Sequence, residues 1–261
     1  MPEAPELQVV TEFLGERLPG RAIRSAHAMK PIVRSLAGDM TEDGKGRRFE
    51  SIERRGKFLL LGLSGDRTVV INPKLTGALQ YCPSTTGLQK RTCVRFQLDG
   101  DIDLRYTDAK QMGQFYYVGR DQVNQVPGLS EQGPDVLDRI DFEEFMSRLR
   151  RFHGEIKGVL TRGRVISGIG NAYADEILFA ARVSPFRRRK ELSDDELRRV
   201  HASSLQVVLD AIDDVRERMG DRIDRKVRDF LKVHNRGGHP CPNCGANISE
   251  LRANRRITSY C

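Results

Sequence analysis

Three groups of residues in this chain have the types and spacing to do chemistry. Near its end, Cys241-Pro242-Asn243-Cys244 sets two thiols two residues apart on a tight turn that Gly245 completes. Two thiolates placed this way form a knuckle that holds zinc. The same spacing serves redox chemistry in some folds, but no strand–helix–strand pattern of the thioredoxin kind surrounds it here. Cys261, with 16 residues between it and Cys244, fits the second half of a zinc ribbon. A structural Zn2+ site takes four ligands. The fourth is either His239 or a residue past Cys261.

The second group is the turn Gly168-Ile169-Gly170-Asn171. A glycine-flexed turn at a helix start can aim backbone N–H groups at a phosphate, and the Asn171 amide adds a donor. Any loop-to-helix turn looks similar. The cationic flanks, Lys157 upstream and Arg187-Arg188-Arg189-Lys190 downstream, favour nucleic acid over a plain helix cap.

The third group is the N-terminus, where Pro2, Glu3 and Glu6 lie together. Pro5 suits the first turn of a helix, and Glu3 and Glu6 complement its dipole. A sharper reading begins with removal of the initiator methionine, which is usual before proline and leaves Pro2 with a free secondary amine. An α-amino group has a pKa of about 7.7–8.0, so part of it is neutral near pH 7. A neutral amine can attack a sugar carbon and form an imine. The cationic imine acidifies the neighbouring C–H, and elimination then breaks a nucleic-acid strand. Such proton transfers need a carboxyl group close by, and Glu3 is adjacent.

The elements that must position these residues can be read from periodicity. Leu7, Val10, Leu14 and Leu18 form one helical face, ended by Pro19-Gly20. From Ile23 to Val118 the pattern is mostly β. Phe58–Leu63 and Thr68–Asn72 read as buried strands, and Asp99-Gly100 as the turn of a hairpin. Cys82 and Cys93, in strand-like segments, read as packing residues. A linker follows around Val126–Pro134, and then helices. Asp141 caps one with Glu144 at its third position. Ser193 and Glu196 form the capping box of another, which runs to Gly220. The plan is a helix, a β-rich domain (residues 1–130), a helical domain (131–235) and a small cysteine appendage (236–261).

Composition narrows the partner. Lys and Arg number 44 against 36 Asp and Glu, a formal charge of +8. From Arg182 onward the count is 18 against 12, so the basic excess concentrates late in the chain. Such a balance favours a polyanion. The longest apolar run, Phe58–Leu63, is far too short to cross a bilayer. The N-terminus has neither the basic nor the apolar region of a secretory signal. The expectation is a cytoplasmic protein, in the bacterial cytosol or nucleoid, with no membrane association.

Four motifs occur in order: Pro2-Glu3-Ala4-Pro5-Glu6-Leu7; Gly56-Lys57-Phe58-Leu59-Leu60; Ser167-Gly168-Ile169-Gly170-Asn171-Ala172-Tyr173-Ala174-Asp175-Glu176; and Cys241 to Cys261. In this the chain resembles the formamidopyrimidine-DNA glycosylase / endonuclease VIII family along essentially its whole length. The resemblance implies an α+β fold: an N-terminal β-sandwich with an N-terminal helix, a helix-two-turn-helix domain, and a C-terminal zinc-ribbon hairpin. It implies a DNA glycosylase with AP lyase activity, acting on double-stranded DNA that carries a damaged base or an abasic site; a monomer fits an enzyme that acts on one nucleotide in a cleft.

Position by position, the resemblance makes Pro2 the Schiff-base nucleophile, Glu3 the general acid and base, and Glu6 an organiser of the site. Lys57, on a strand, would contact a phosphate flanking the lesion. Lys157 and Asn171 would bind the backbone near the extruded nucleotide. Arg256, in Arg255-Arg256-Ile257-Thr258, matches the phosphate-binding arginine of the ribbon.

The chain departs from the family in its two wedge loops. The familiar His-Leu-Gly-Met-Ser-Gly becomes Asn72-Pro73-Lys74-Leu75-Thr76-Gly77, and Asp-x-Arg-Arg-Phe-Gly becomes Asp108-Ala109-Lys110-Gln111-Met112-Gly113. Leu75 and Met112 are still apolar and can wedge. Lys110 or Gln111 replaces the arginine that would read the orphaned base, and neither reproduces the rigid guanidinium fork. A preference for cytosine opposite the lesion is therefore not implied, nor is 8-oxoguanine as the main substrate. Two other classes compete with the enzyme. A non-catalytic lesion sensor on the same scaffold has no need of a free amine beside a carboxylate. A helix-turn-helix transcription factor needs base-reading side chains that the pattern lacks.

Overall fold

The computed structural model describes residues 1–253 and 256–261. The fold is α+β and divides into two units, Met1–Glu131 with Val215–Val227, and Gln132–Asp214 with Arg228–Cys261.

In the first unit, α1 (Ala4–Arg17) buries the stripe expected of it, with Leu7, Val10, Leu14 and Leu18 all inside. Gly20, at φ +83°, takes the left-handed turn that follows. Then come β1 (Ile23–Ala28), β2 (Val33–Ser35), the single turn α2 (Met40–Asp43), β3 (Phe49–Arg55), β4 (Phe58–Leu63) and β5 (Arg67–Asn72). β6 (Gly77–Pro83), β7 (Thr92–Leu98), β8 (Ile102–Asp108) and β9 (Gln114–Gly119) complete the strands. They form a four-stranded sheet ordered β1-β7-β8-β6 and a five-stranded sheet ordered β2-β9-β5-β4-β3. All pairings are antiparallel except β2 with β9.

The sheets face each other through aromatic rings. Phe96 of β7 meets Phe49 of β3 edge-on at 6.2 Å, and Tyr106 of β8 meets Phe115 of β9 at 5.6 Å. The outer face of the five-stranded sheet is covered too. Phe58, Leu60, Val70, Tyr116 and Val118 pack under Val123 and under Val126 and Leu129, the start of the expected linker. Every residue of β4 is therefore buried, which is why it reads as an unbroken apolar run rather than an alternating one.

The second unit holds α3 (Phe142–Leu149), α4 (Ile156–Leu160), α5 (Asn171–Ala180) and the body of α6 (Asp194–Met219), whose last turn belongs to the first unit. Both expected caps are made. Asp141 Oδ1 accepts from Glu144 N at 2.7 Å, and Ser193 N donates to Glu196 Oε2 at 2.8 Å. The double turn between α4 and α5 uses Gly163 and Gly168, both at positive φ. The hairpin of β10 (Ser249–Ala253) and β11 (Arg256–Tyr260) ends the chain.

Candidate functional site

Pro2 precedes α1, and the helix start is held from within. Glu3 N donates to the Glu6 carboxylate at 2.8 Å, a reach of three residues back along the first turn. Both carboxyl groups are buried, Glu3 at 1% and Glu6 at 3% exposure. Arg54 Nε on β3 donates to Gln8 Oε1 at 3.0 Å and ties the helix to the sheet. Pro2 and Glu6 line a cavity of about 350 Å³, with Leu75, Thr76, Arg91 and the segment Ile223–Lys226 among its other walls. All of these residues belong to the first unit. Asp224 is gripped by Arg222 through two bonds of 2.9 and 3.1 Å, which holds its carboxyl below the usual range. The pocket thus brings Pro2 and the buried Glu6 carboxyl together with the cationic side chains Arg91, Arg225 and Lys226.

Leu75 and Met112 are both about half exposed, at 52% and 50%, and Lys110 and Gln111 are exposed. Lys57 differs from the expectation. It lies in the two-residue turn with Gly56 between β3 and β4, not on a strand, because the pairing of Arg55 with Phe58 closes the hairpin there.

In the second unit the other expected phosphate contacts meet at β11. The Lys157 ammonium, only 7% exposed as a residue, lies 2.7 Å from Asp175 Oδ1. It also donates to the Ile257 carbonyl at 2.9 Å and to Thr258 Oγ1 at 2.8 Å. Asn171 Nδ2 donates to the same Ile257 carbonyl at 2.8 Å. Lys157 thus hydrogen-bonds two groups of β11 and pairs with Asp175 by charge alone, since Asp175 Oδ1 accepts no hydrogen bond among the described residues. Arg256 is exposed at the head of β11, and Arg255 of the same motif lies outside the described residues.

Sequence reasoning missed the hub of this cluster. Asp175 Oδ2 accepts His234 Nδ1 at 2.7 Å and Ser259 N at 3.2 Å. Next to it, Glu176 accepts the backbone N–H groups of Lys232, Val233 and His234 at 2.8–3.0 Å. The available signal was a pair of carboxylates within the otherwise apolar stretch Ala172–Ala181, which is where buried charge needs partners.

The sulfur atoms of Cys241, Cys244 and Cys261 lie within 4.8 Å of one another. Asn243 N donates to Cys241 Sγ at 3.4 Å, and Gly245, at φ +75°, turns the chain so that its N–H reaches the Cys241 carbonyl. Burial pushes the Cys241 thiol up, but the backbone N–H groups of Asn243 and Cys244 outweigh it and hold the thiol below its usual value. Cys261 is pushed up to about 12 by Cys244 and Cys241. Three thiols crowded this closely compete for protons, and a soft divalent cation relieves the competition by taking all three as thiolates. The donor set fits zinc. Among the described residues no fourth Cys, His, Asp or Glu joins the group, so His239 is not placed there.

Comparison with known proteins gives one family. Residues 1–115 match the formamidopyrimidine-DNA glycosylase N-terminal domain and residues 133–220 the formamidopyrimidine-DNA glycosylase H2TH domain. A formamidopyrimidine-DNA glycosylase of Desulforamulus reducens is 35% identical over 270 residues, covering 100% of this chain and 98% of the relative. One of Pelotomaculum thermopropionicum is 32% identical over 269 residues with the same coverage. Among solved structures, Lactococcus lactis Fpg in complex with DNA containing an abasic site superposes with a TM-score of 0.90 at 25% identity, over 99% of this chain and 97% of that one. The wild-type Lactococcus lactis Fpg (MutM) with DNA containing N7-benzyl-Fapy-dG gives a TM-score of 0.89 at 26% identity, over 100% and 98%.

Proposed function

The chain belongs to the formamidopyrimidine-DNA glycosylase family, and from that premise we propose that it excises damaged bases from duplex DNA and then cleaves the strand at the resulting abasic site. The observation that carries this reading is the shared cavity of Pro2 and Glu6, with the buried Glu3 carboxyl between them in the chain. Once Met1 is removed, the neutral Pro2 nitrogen attacks C1′ of the damaged nucleotide. The glycosidic bond breaks, and the base leaves with its electron pair and takes a proton; the Pro2 N–H proton then passes to O4′ as the C1′–O4′ bond opens the sugar ring and C1′ becomes doubly bonded to nitrogen. The resulting iminium draws electrons from C2′–H. Glu3 takes that proton, and the 3′ phosphate departs. A second elimination releases the 5′ phosphate, and water frees the amine. Glu6 acts through the backbone, since it fixes the N–H of Glu3 and with it the carboxyl.

Lys57 and Arg256 bind phosphate, with Lys157 and Asn171 beneath Arg256. Leu75 and Met112 fill the space vacated by the extruded nucleotide, and Lys110 faces the orphaned base. Cys241, Cys244 and Cys261 would hold a structural Zn2+, which stiffens the knuckle below β10 and takes no part at the sugar. The enzyme acts as a cytoplasmic monomer.

The test is borohydride reduction in the presence of a duplex with one abasic site, followed by mass mapping. A covalent adduct on Pro2 is expected, and an added, unprocessed residue before Pro2 should abolish it while leaving DNA bound. Binding without any adduct in the processed protein would replace this reading with a non-catalytic lesion sensor.

A further inference from the structure

Two of the short segments that connect the two sheets of the first unit carry Leu75 and Met112. β5 leads to β6 through residues 73–76, and β8 leads to β9 through residues 109–113. Because β5 pairs with β9 and β6 with β8, the two crossings lie side by side. Asn72 stands opposite Gln114 at one end, and Gly77 opposite Asp108 at the other.

A single carboxylate sits between them. Asp108, 1% exposed, accepts the Thr76 hydroxyl of the first loop on Oδ1. The same oxygen accepts Lys110 N of the second loop at 3.2 Å. Oδ2 accepts Gly113 N at 2.7 Å and the Tyr106 hydroxyl at 3.4 Å. Lys110 N also reaches Thr76 Oγ1 at 3.2 Å, a second bond across the loops. Tyr106 closes the assembly from below. A Cβ placed on Gly77 would meet its hydroxyl at 2.3 Å, and one on Gly113 at 1.8 Å, so both loop ends are packed to the limit of a glycine. Each loop also contains one non-glycine residue in the left-handed region, Lys74 at φ +49° and Gln111 at φ +50°. Each stands directly before the apolar residue, Leu75 or Met112. Such conformations persist only where the surroundings over-determine them.

We propose that Asp108 is a positioning residue that makes the two loops one rigid element, so that Leu75 and Met112 enter the duplex together as a two-pronged wedge. This rests on the reading that the protein extrudes a nucleotide. Asp108 itself does not touch DNA. Its bonds to Lys110 N and Gly113 N would order the second loop alone; the bonds that cross between the loops, from the Thr76 hydroxyl to Asp108 and from Lys110 N to Thr76 Oγ1, are what make the two move as one.

The test is a double-mutant cycle on Leu75→Ala and Met112→Ala. It is read by stopped-flow fluorescence of 2-aminopurine placed opposite a tetrahydrofuran abasic analogue in a duplex, which brightens as the wedge enters and does not depend on which lesion is excised. In the otherwise unaltered protein each single change should slow insertion about 10-fold, and the double change no more than about 2-fold further, because a rigid wedge fails as a unit. In an Asp108→Asn background the two factors should multiply, to about 100-fold. Thr76→Val removes the Thr76 hydroxyl and its bond to Asp108 and should give the same multiplication, which keeps the test available if Asp108→Asn does not fold. A fall in melting temperature without loss of coupling would make Asp108 an ordinary turn residue and overturn the proposal. So would factors that already multiply in the unaltered protein. Borohydride trapping at Pro2 is run alongside; its failure would count against the catalytic reading while leaving the wedge measurement intact.

Discussion

Replacing Lys157 with methionine separates two roles that its sequence position permits. Methionine keeps most of the length and loses the charge. The Lys157 and Asp175 side chains are 9% and 0% exposed and lie 2.7 Å apart. Removing one partner of a buried pair costs about 3–5 kcal/mol. Asp175 keeps His234 Nδ1 at 2.7 Å and Ser259 N at 3.2 Å, so the lower end, about 3 kcal/mol, is the expected loss. With a urea dependence of about 2 kcal/mol per M, the unfolding midpoint of the second unit should fall by about 1.5 M. DNA affinity measured against salt supplies the contrast. A residue that neutralises one phosphate changes the slope of log affinity on log salt by about 0.9. An unmoved urea midpoint together with a slope reduced by that amount would refute the account of Lys157 as a strut under β11 and make it a direct phosphate ligand.

Two further outcomes follow from other parts of the molecule. Asp43 accepts from Arg47, Arg67 and Tyr117, and these bonds outweigh its burial and lower its pKa from 3.8 to about 2. Its stabilising contribution, about 2 kcal/mol, is complete above pH 3.8 and disappears as the pH falls through 3.8 to about 2. Asp43→Asn should therefore lower stability at pH 7 by that amount and make no difference once the pH is well below 2; a deficit independent of pH would point to lost packing instead. Stripping metal from the Cys241–Cys244–Cys261 group with a strong chelator should weaken DNA binding at least about 10-fold, reversibly by Zn2+ and not by Mg2+. Full affinity in protein verified to be metal-free would remove zinc from the description.

Local features were readable from the chain because their causes are local. The stripe of α1, the Asp99-Gly100 hairpin, the two helix caps and the cysteine knuckle each depend on residues a few positions apart. Lys57 was misplaced by one element because a hydrophobic run marks a strand well and its first residue poorly. The parallel edge strand β2 has three residues and no periodicity to betray it. Asp175 was quoted within a motif, but its partners His234 and Ser259 are 59 and 84 residues away, and no spacing rule connects them. The carboxylates at the N-terminus were found for the opposite reason, since Glu6 lies in the first turn of α1 and Glu3 and Pro2 stand directly before it.

The placement of Leu75 and Met112 on corner crossings, outside the aromatic core, has a consequence for how such a protein can change. Each side chain is half in solvent, and neither belongs to the ring contacts between the sheets. Exchanging one for another residue of similar bulk should cost no more than about 0.5 kcal/mol of stability. The residues Pro2, Glu3 and Glu6 are carried by a different element, the start of α1, although Leu75 shares the wall of their cavity. If these two side chains are the proposed wedge, what is offered to DNA can therefore drift through single substitutions while the fold stays fixed. Discrimination is the part of this architecture most open to selection.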